Sequence, residues 1–487
     1  MTTHAPTAPS SPPGDGTQAA LPRWSQTTFA HPEGRRPVLG DLQRVRQRRP
    51  LQAILQRLDG MGPVCEFKAF GNRFVLVTDA LVAAELCDEK RFEKALPPGL
   101  VALRETAGDG LFTAYNDEPN WALAHTLLMP AFSRPAMQSY HATMLRTTGE
   151  LIGKWDAYAA GGGPVDVSGD LTRLTLETIA RCAFSTDFGS FSQEQQHPFV
   201  AAMIVGLVGG QRRGAFGSLP LVGRPLNWWF DRKDADSRAF TQGLLDDMVQ
   251  SRLRSGEIDD RDLLGIMLGT AHPETGELLS PENVRHQILT FLTAGHETTS
   301  GTLSFVLYYL AQNPDVLRRA QEECDVILGE DPEAEPTFEQ VGKFRYVRRV
   351  IDEALRLWPT APGFSRGPRG SAQVVAGRWL MEPGDMALVL LPAVHRDPQV
   401  WGEDPERFDP DRFTSAAVHA RAAHTYKPFG TGERACIGRQ FALHEAVIAL
   451  ATILHRYDPA GDPAYDLDVT ERLTLMPRGF ELTLTRR

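Results

Sequence analysis

Apolar residues recur at a spacing near 3.6 over 136–160, 171–184, 237–254, 282–312, 314–328, 345–357 and 438–456, which predicts a helix for each stretch. Strict alternation is confined to short pieces, 73–78, 373–380, 386–391 and 480–485, each bounded by Gly or Pro, and these predict strands. The expected fold class is mainly α with small β-sheets. The segment 282–312 is the best defined: Ser280 suits the cap, Pro281 the first helical position and Asn313–Pro314 the stop. At ~1.5 Å per residue it is a rod of roughly 45 Å. It is apolar round much of its circumference, so it is expected to run through the core rather than across the surface.

Residues 1–22 are Pro, Ser, Thr, Gly and Ala with almost no large apolar side chains, a composition that cannot offset its own ordering entropy, and a disordered leader is expected there. From Trp24 onward hydrophobic residues recur without a linker-like break, so 23–487 reads as one domain. A net charge of −10 argues against nucleic acid as the main partner, which would call for a strongly basic face. The five cysteines lie far apart with no C-x-x-C pair, which suggests neither a disulfide framework nor a structural zinc site and suits a reduced, cytoplasmic chain. The N-terminus has no basic and apolar signal pattern, and no run of about 18 apolar residues occurs, so neither secretion nor a membrane span is expected.

The stretch Phe429-Gly-Thr-Gly-Glu-Arg-Ala-Cys-Ile-Gly438 is the most informative, because the helical pattern RQFALHEAVIALATIL follows at once. Cys436 then sits at a helix mouth in a Gly-rich turn, where the helix dipole and free backbone N–H groups favour a thiolate able to ligate a metal. The other four cysteines read as small buried hydrophobes. In the long helix, Ala294-Gly-His-Glu-Thr-Thr-Ser300 places a glycine and hydroxyls where they cost helix stability, and such a break of local rules points to function. The plain alternative is a helix whose hydroxyls bond back to i−4 carbonyls. Glu353-Ala-Leu-Arg356 puts a carboxylate and a guanidinium on one helix face, and Phe408-Asp-Pro-Asp-Arg-Phe413 lies downstream.

Taken together, and over roughly residues 50–485, these motifs resemble the cytochrome P450 family. The resemblance implies that family's fold, with the long helix crossing a haem b (iron protoporphyrin IX), and a haem-thiolate monooxygenase. Cys436 would be the axial iron ligand, with Phe429 beside the sulfur and Gly432 and Gly438 letting N–H groups approach it. Arg434, Lys94 and Trp121 would hold the haem propionates. Thr298 and Glu297 would hold water and pass protons to dioxygen. Glu353, Arg356 and Arg412 would form a buried structural set, with Arg407 as a competing candidate for its last member. A thiolate ligand in a dry, hydrogen-bonded shell suits O–O cleavage.

The chain is most similar to the bacterial fatty-acid-hydroxylating branch, usually fused to a diflavin reductase, through stretches such as AGDGLFT, FLTAGHETTSG and KPFGTGERACIGRQFALHEA. That similarity makes Phe112 a substrate gate and Leu100, Leu103, Ala107, Ala294, Ala361 and Leu473 channel positions. Two departures concern the substrate. Where that branch anchors a fatty carboxylate with Arg and Tyr, this chain has Asn72 and Leu76; Arg73 is adjacent, but strand alternation aims it the other way. The segment 205–231, where the family's mobile lid lies, also looks unlike that branch. A long apolar chain is the first expectation for substrate.

The chain stops just after its last expected strand with no flavin or iron–sulfur module, so a separate reductase, ferredoxin or flavodoxin is expected to bring electrons from NAD(P)H. Lys427, Arg439 and Arg421 would make the docking face locally positive. Two decoys fail on context. Gly363-Phe-Ser-Arg-Gly367 matches a nucleophile elbow around Ser365 without the strand and helix it needs, and Gly430-Thr-Gly-Glu-Arg-Ala435 matches a relaxed dinucleotide fingerprint with no strand before it. The alternatives kept are a peroxide-driven peroxygenase and a non-catalytic haem-binding protein. The intact Glu297–Thr298 pair speaks against both.

Overall fold

The computed structural model describes residues 21–37, 39–42, 49–216, 223–258 and 260–487. The central helix runs Pro281–Gln312, with the Ser280 hydroxyl accepting the Asn283 N–H at 3.1 Å and Asn313 at its end, as the capping residues predict. It is buried along most of its length. Beside it lies the helix Val167–Phe184, which is buried on nearly every side. The two pack closely because small hydroxyl residues face each other: Ser168 meets Ser304 at 3.4 Å, Thr172 meets Ser300 at 3.5 Å, and Thr175 donates to the His296 carbonyl at 2.8 Å. The helices Arg134–Gly161, Arg345–Leu357 and Arg439–Arg456 complete this core around Leu307, Leu310, Val350, Leu450 and Leu454.

A five-stranded sheet flanks the helices in the order Val64–Ala69, Asn72–Val77, Ala387–Leu390, Gly363–Pro368 and Phe92–Lys94. The chain start packs beside it, with Trp24 edge-on to Phe29 at 4.9 Å and to Trp379 at 6.1 Å. The expected leader lies outside the described residues save for Leu21 and Pro22. The Pro22 carbonyl accepts the Leu380 N–H at 2.9 Å.

Two expectations change. The alternating run 373–380 is not one strand but the two arms of a hairpin, Gln373–Val375 and Trp379–Met381, reversed at Ala376–Gly377. Period-two patterning survives a tight turn, which is why it read as continuous. The helix Pro198–Phe216 carries Gly206, Gly209 and Gly210 and gave no periodic signal. Two of these glycines are where it touches its neighbours: a Cβ on Gly209 would come within 2.2 Å of the Asp234 carboxylate, and one on Gly210 within 2.4 Å of the Leu103 side chain in the helix Pro98–Ala107. Tertiary contact, not propensity, makes this helix. Of the atypical segment 205–231, residues 217–222 lie outside the described residues.

Glu445 is buried within the helix Arg439–Arg456, and neither carboxyl oxygen has a hydrogen-bond partner among the described residues. The neighbouring Thr178 hydroxyl spends its proton on the Leu174 carbonyl at 2.9 Å. Burial pushes the Glu445 pKa up from 4.5 to about 8. Between those values the folded chain holds a proton that the unfolded chain has released, so this group costs stability progressively as pH rises. Glu445→Gln removes the loss. The melting temperature of the variant relative to the parent is expected to climb by a few degrees between about pH 5 and pH 8 in scanning calorimetry; a gap that does not vary with pH would mean the carboxyl is solvated or paired.

Candidate functional site

The cysteine loop is shaped by backbone hydrogen bonds. Gly430 N–H donates to the Lys427 carbonyl at 3.0 Å, Ala435 N–H to Gly432 at 3.0 Å, and Cys436 N–H to Phe429 at 2.9 Å. Gly438 then caps the helix Arg439–Arg456, which puts Cys436 at its positive end. The Gly438 N–H bonds to the Cys436 sulfur. Burial raises the thiol pKa, against the opposing pull of that N–H and of Arg439. Yet Cys436 is exposed, whereas Cys65, Cys87, Cys182 and Cys324 are buried. A thiol desolvated by surrounding protein but with open surface borders an internal hollow.

Gly432 lies against a side chain from far away in the sequence. Its φ of +65° is left-handed, and a Cβ there would lie 1.3 Å from the Glu89 carboxylate, which accepts the Glu433 N–H at 2.9 Å. It makes room for an acid that holds the loop, while the sulfur receives its N–H from Gly438. Phe429 lies under Arg439, 5.6 Å from ring to guanidinium.

Arg434 and Lys94 come together from distant parts of the chain. Arg434 stacks on Trp121 at 4.5 Å and donates to Asn116 Oδ1 at 3.1 Å and the Ala114 carbonyl at 2.6 Å. Lys94 donates to the Phe112 carbonyl. Burial lowers the Lys94 pKa to about 7, helped by repulsion from Arg434, and lowers that of Arg434 to about 10. Neither forms an ion pair among the described residues. Two neighbouring desolvated cations, neither in an ion pair among the described residues, beside a cysteine at a helix mouth are a donor set that fits haem: sulfur for the iron, cations for the two propionates.

The central helix borders the same hollow. Phe132 lies against Gly438 and stacks with Phe291 of that helix at 5.8 Å. One turn further on, Ala294 is exposed and Thr298 half-exposed although His296, Glu297, Thr299 and Ser300 around them are buried. The hydroxyls follow the plain helical pattern, Thr298 donating to the Ala294 carbonyl at 2.7 Å, Ser300 to His296 at 2.8 Å and Thr302 to Thr298 at 2.8 Å. Of the expected motif only Ala294 and Thr298 face the opening. Glu297 does not join them: its oxygens accept from Arg472 at 3.2 Å and Thr474 at 2.6 Å. The expected relay pair is adjacent in sequence and divergent in space, because neighbours on a helix point about 100° apart. Arg472 and Thr474 escaped the sequence reading; two polar residues flanking Leu473 at a hairpin tip were the available signal.

Phe112 is 40% exposed, with Lys94 5.2 Å over its ring, and its segment is tied to the central helix where Leu111 N–H donates to Gln287 at 3.0 Å. Leu100, Ala107 and Leu473 are partly buried against one apolar cluster, and Ala361 is exposed. Leu103 is instead buried against Gly210 and closes the wall between two helices. Leu76 is buried in a satellite core with Leu58, Phe67 and Leu390, and Asn72 ends a strand opposite Ala69. Arg73 donates to Glu66 and to the Thr27 carbonyl, each at 2.6 Å, so it supplies no substrate anchor.

Glu353 and Arg356 form a fully buried bidentate pair, Nε to Oε2 at 2.7 Å and Nη2 to Oε1 at 2.8 Å. Arg356 also donates to the carbonyls of His395, Pro405 and Arg407. Arg412 approaches Glu353 at 3.7 Å and donates to Asp404 and Trp401 carbonyls. Arg407 is exposed and lends only its carbonyl, so Arg412 is the residue that reaches the pair. Ser365 sits buried inside the strand Gly363–Pro368, which removes the nucleophile-elbow reading. Of the expected docking cations, Arg421 is taken up by stacking on Trp401 at 4.0 Å, while Arg439 is exposed.

An accessible cysteine at a helix mouth, two desolvated cations and a long helix through the core are the parts of a haem-thiolate fold. The cytochrome P450 family pattern matches residues 31–484, and the chain belongs to that family. It is 41% identical over 450 residues to a bifunctional cytochrome P450/NADPH–P450 reductase of Bacillus cereus, covering 92% of this chain and 41% of that protein. Similarity to a Bacillus subtilis protein described in the same words is 40% over 453 residues, with 92% and 41% covered. A self-sufficient cytochrome P450 monooxygenase of Phanerodontia chrysosporium is 39% identical over 450 residues, with 91% and 41% covered. The chain thus spans about two fifths of the length of these relatives. Among the described residues no helix is long and apolar enough to cross a membrane.

Removing Arg356 strands a buried carboxylate. Arg356→Leu is expected to lower the unfolding free energy by about 3–5 kcal/mol in denaturant titration, whereas Arg407→Ala stays within about 0.5 kcal/mol of the parent.

Proposed function

We propose that this chain is a haem-thiolate monooxygenase that inserts one oxygen atom of O2 into a C–H bond of an apolar, fatty-acid-like substrate. Haem b bound through the Cys436 thiolate supplies the reduction of dioxygen and the cleavage of its O–O bond. The observation that carries this reading is the Cys436 sulfur, desolvated yet open on one side, accepting the Gly438 N–H at a helix N-terminus. That hydrogen bond tempers the electron donation of the sulfur, and the surrounding protein keeps water from it.

Arg434 and Lys94 would neutralise the propionates, and Trp121, stacked under Arg434, would hold that guanidinium in place. The second cation is recharged there, because an anion beside Lys94 raises the pKa that burial has lowered. Thr298, half-exposed where its neighbours are buried, gives its hydroxyl proton to the Ala294 carbonyl and would accept a hydrogen bond from a water on the same oxygen, and Glu297 would pass protons to that water on leaving Arg472 and Thr474. Phe112, Ala294, Ala361, Leu100, Ala107 and Leu473 offer an apolar wall that orients a hydrocarbon by exclusion of water. No cation stands at Asn72 or Leu76, which favours an uncharged or loosely held polar end over a clamped carboxylate. Electrons from NAD(P)H arrive through a flavin or iron–sulfur redox module, and the names of the relatives, which pair cytochrome P450 with an NADPH–P450 reductase, support this.

Two measurements test the reading. The reduced protein with carbon monoxide is expected to give the Soret position of thiolate ligation, and Cys436→Ala is expected to abolish it; an unchanged spectrum would move the ligand elsewhere. Thr298→Ala is expected to lower the product formed per electron severalfold while leaving that spectrum intact. Unchanged coupling would remove Thr298 from proton delivery.

A further inference from the structure

The carboxylate of Glu297 is only 4% exposed, and both its oxygens are taken by one short hairpin. Arg472 and Thr474 lie either side of Leu473 in the turn between the strands Val469–Glu471 and Leu475–Pro477, which the Arg472 N–H closes on the Thr474 carbonyl at 3.0 Å. The base of this hairpin is fixed. Leu475 N–H donates to the Thr360 carbonyl at 2.9 Å, and the Leu475 carbonyl lies against Gly301, where an added Cβ would come within 2.7 Å of it. The tip is a lever on a clamped base. Leu473 points from that tip into the apolar cluster shared by Leu100, Ala107 and Phe291.

Three side chains in a row therefore link two sites. The outer two hold the acid, and the middle one faces the wall where substrate lies. In this arrangement Glu297 cannot serve Thr298, because a buried carboxylate with both oxygens bonded has no reason to turn. Letting it go is feasible on one side only: the Arg472 side chain is 31% exposed, so a released guanidinium has water to go to. Resting on the function proposed above, we infer that Arg472 and Thr474 are positioning residues that keep Glu297 out of proton delivery until an apolar substrate presses on Leu473 and tilts the tip. Proton supply is then tied to occupancy of the channel, and electrons are not spent on peroxide when it is empty. A ligand shifts such an equilibrium only through contacts that differ between the two states, and Leu473 is that contact.

Infrared difference spectroscopy on the haem-loaded full chain tests this, with dodecan-1-ol as probe and the Glu297 band assigned by its loss in Glu297→Gln. The band is expected to shift when the alcohol binds. Arg472→Gln and Leu473→Trp, which unpair and crowd the tip respectively, are expected to show the shifted band without alcohol, while Arg472→Lys keeps the parent band. Substrate-free peroxide formation per electron is expected to rise severalfold in Arg472→Gln. A band that stays at the parent position in Arg472→Gln or Leu473→Trp, or with alcohol bound as judged by the haem spin-state shift, overturns the lock. The ferrous carbonyl spectrum of the same samples keeps the two ideas apart: thiolate ligation retained with an unmoved band sinks the lock alone, and its loss in the parent sinks the haem-thiolate reading.

Discussion

The bidentate contact between Glu353 and Arg356 is the constraint from which the cysteine loop hangs. It lies wholly out of water, where two charges are tolerable only if every remaining donor and lone pair is used. Arg356 spends its spare N–H groups on three carbonyls between 395 and 407, and Glu353 takes the Asp409 N–H at 2.8 Å. His395, whose backbone is gripped in this way, accepts the Lys427 N–H on its Nε2 at 3.1 Å. Burial and the nearby Arg356 hold that imidazole neutral, with its pKa down at about 3, so it can act as an acceptor at any physiological pH. The ion pair thereby fixes the irregular stretch 395–427, and that stretch delivers the loop carrying Cys436.

What could be read from the sequence was what is encoded locally. The central helix, its cap and its stop follow from residues adjacent in the chain, and the structure has them at Ser280, Pro281 and Asn313. The Cys436 turn was legible because its geometry needs glycine at fixed offsets. The features that escaped are those set by partners far away in sequence. Gly432 looked like an opening for the sulfur until Glu89 was seen against it. Glu297 adjoins Thr298 in sequence, but its oxygens are held by Arg472 and Thr474, some 175 residues away. Arg421 looked like a surface charge until Trp401 and Phe413 were found beneath it.

The same distinction separates what the fold does for any member of the family from what this chain does with it. The cations at 94 and 434, the Trp121 ring and the cysteine turn come together from distant parts of the chain. The walls facing it are different in kind. Asn72 ends a strand and Leu76 is buried with Leu58 and Phe67, while the apolar packing around Leu473 gives way to a cation at the hairpin tip, where Arg472 meets the acid.

The contact between Glu433 and Glu89 joins residues 344 positions apart, and the central strand Ala387–Leu390 is inserted between two others that begin at Asn72 and Gly363. A ribosome releases the first of these strands long before its neighbour exists. The sheet edge at Asn72–Val77 must wait, unpaired on that side, while roughly three hundred residues are added, and the turn carrying Cys436 is finished only when the C-terminal quarter folds back upon it. Assembly of this molecule is thus a late, long-range event, with slow closure and an exposed edge as its intrinsic hazards during synthesis.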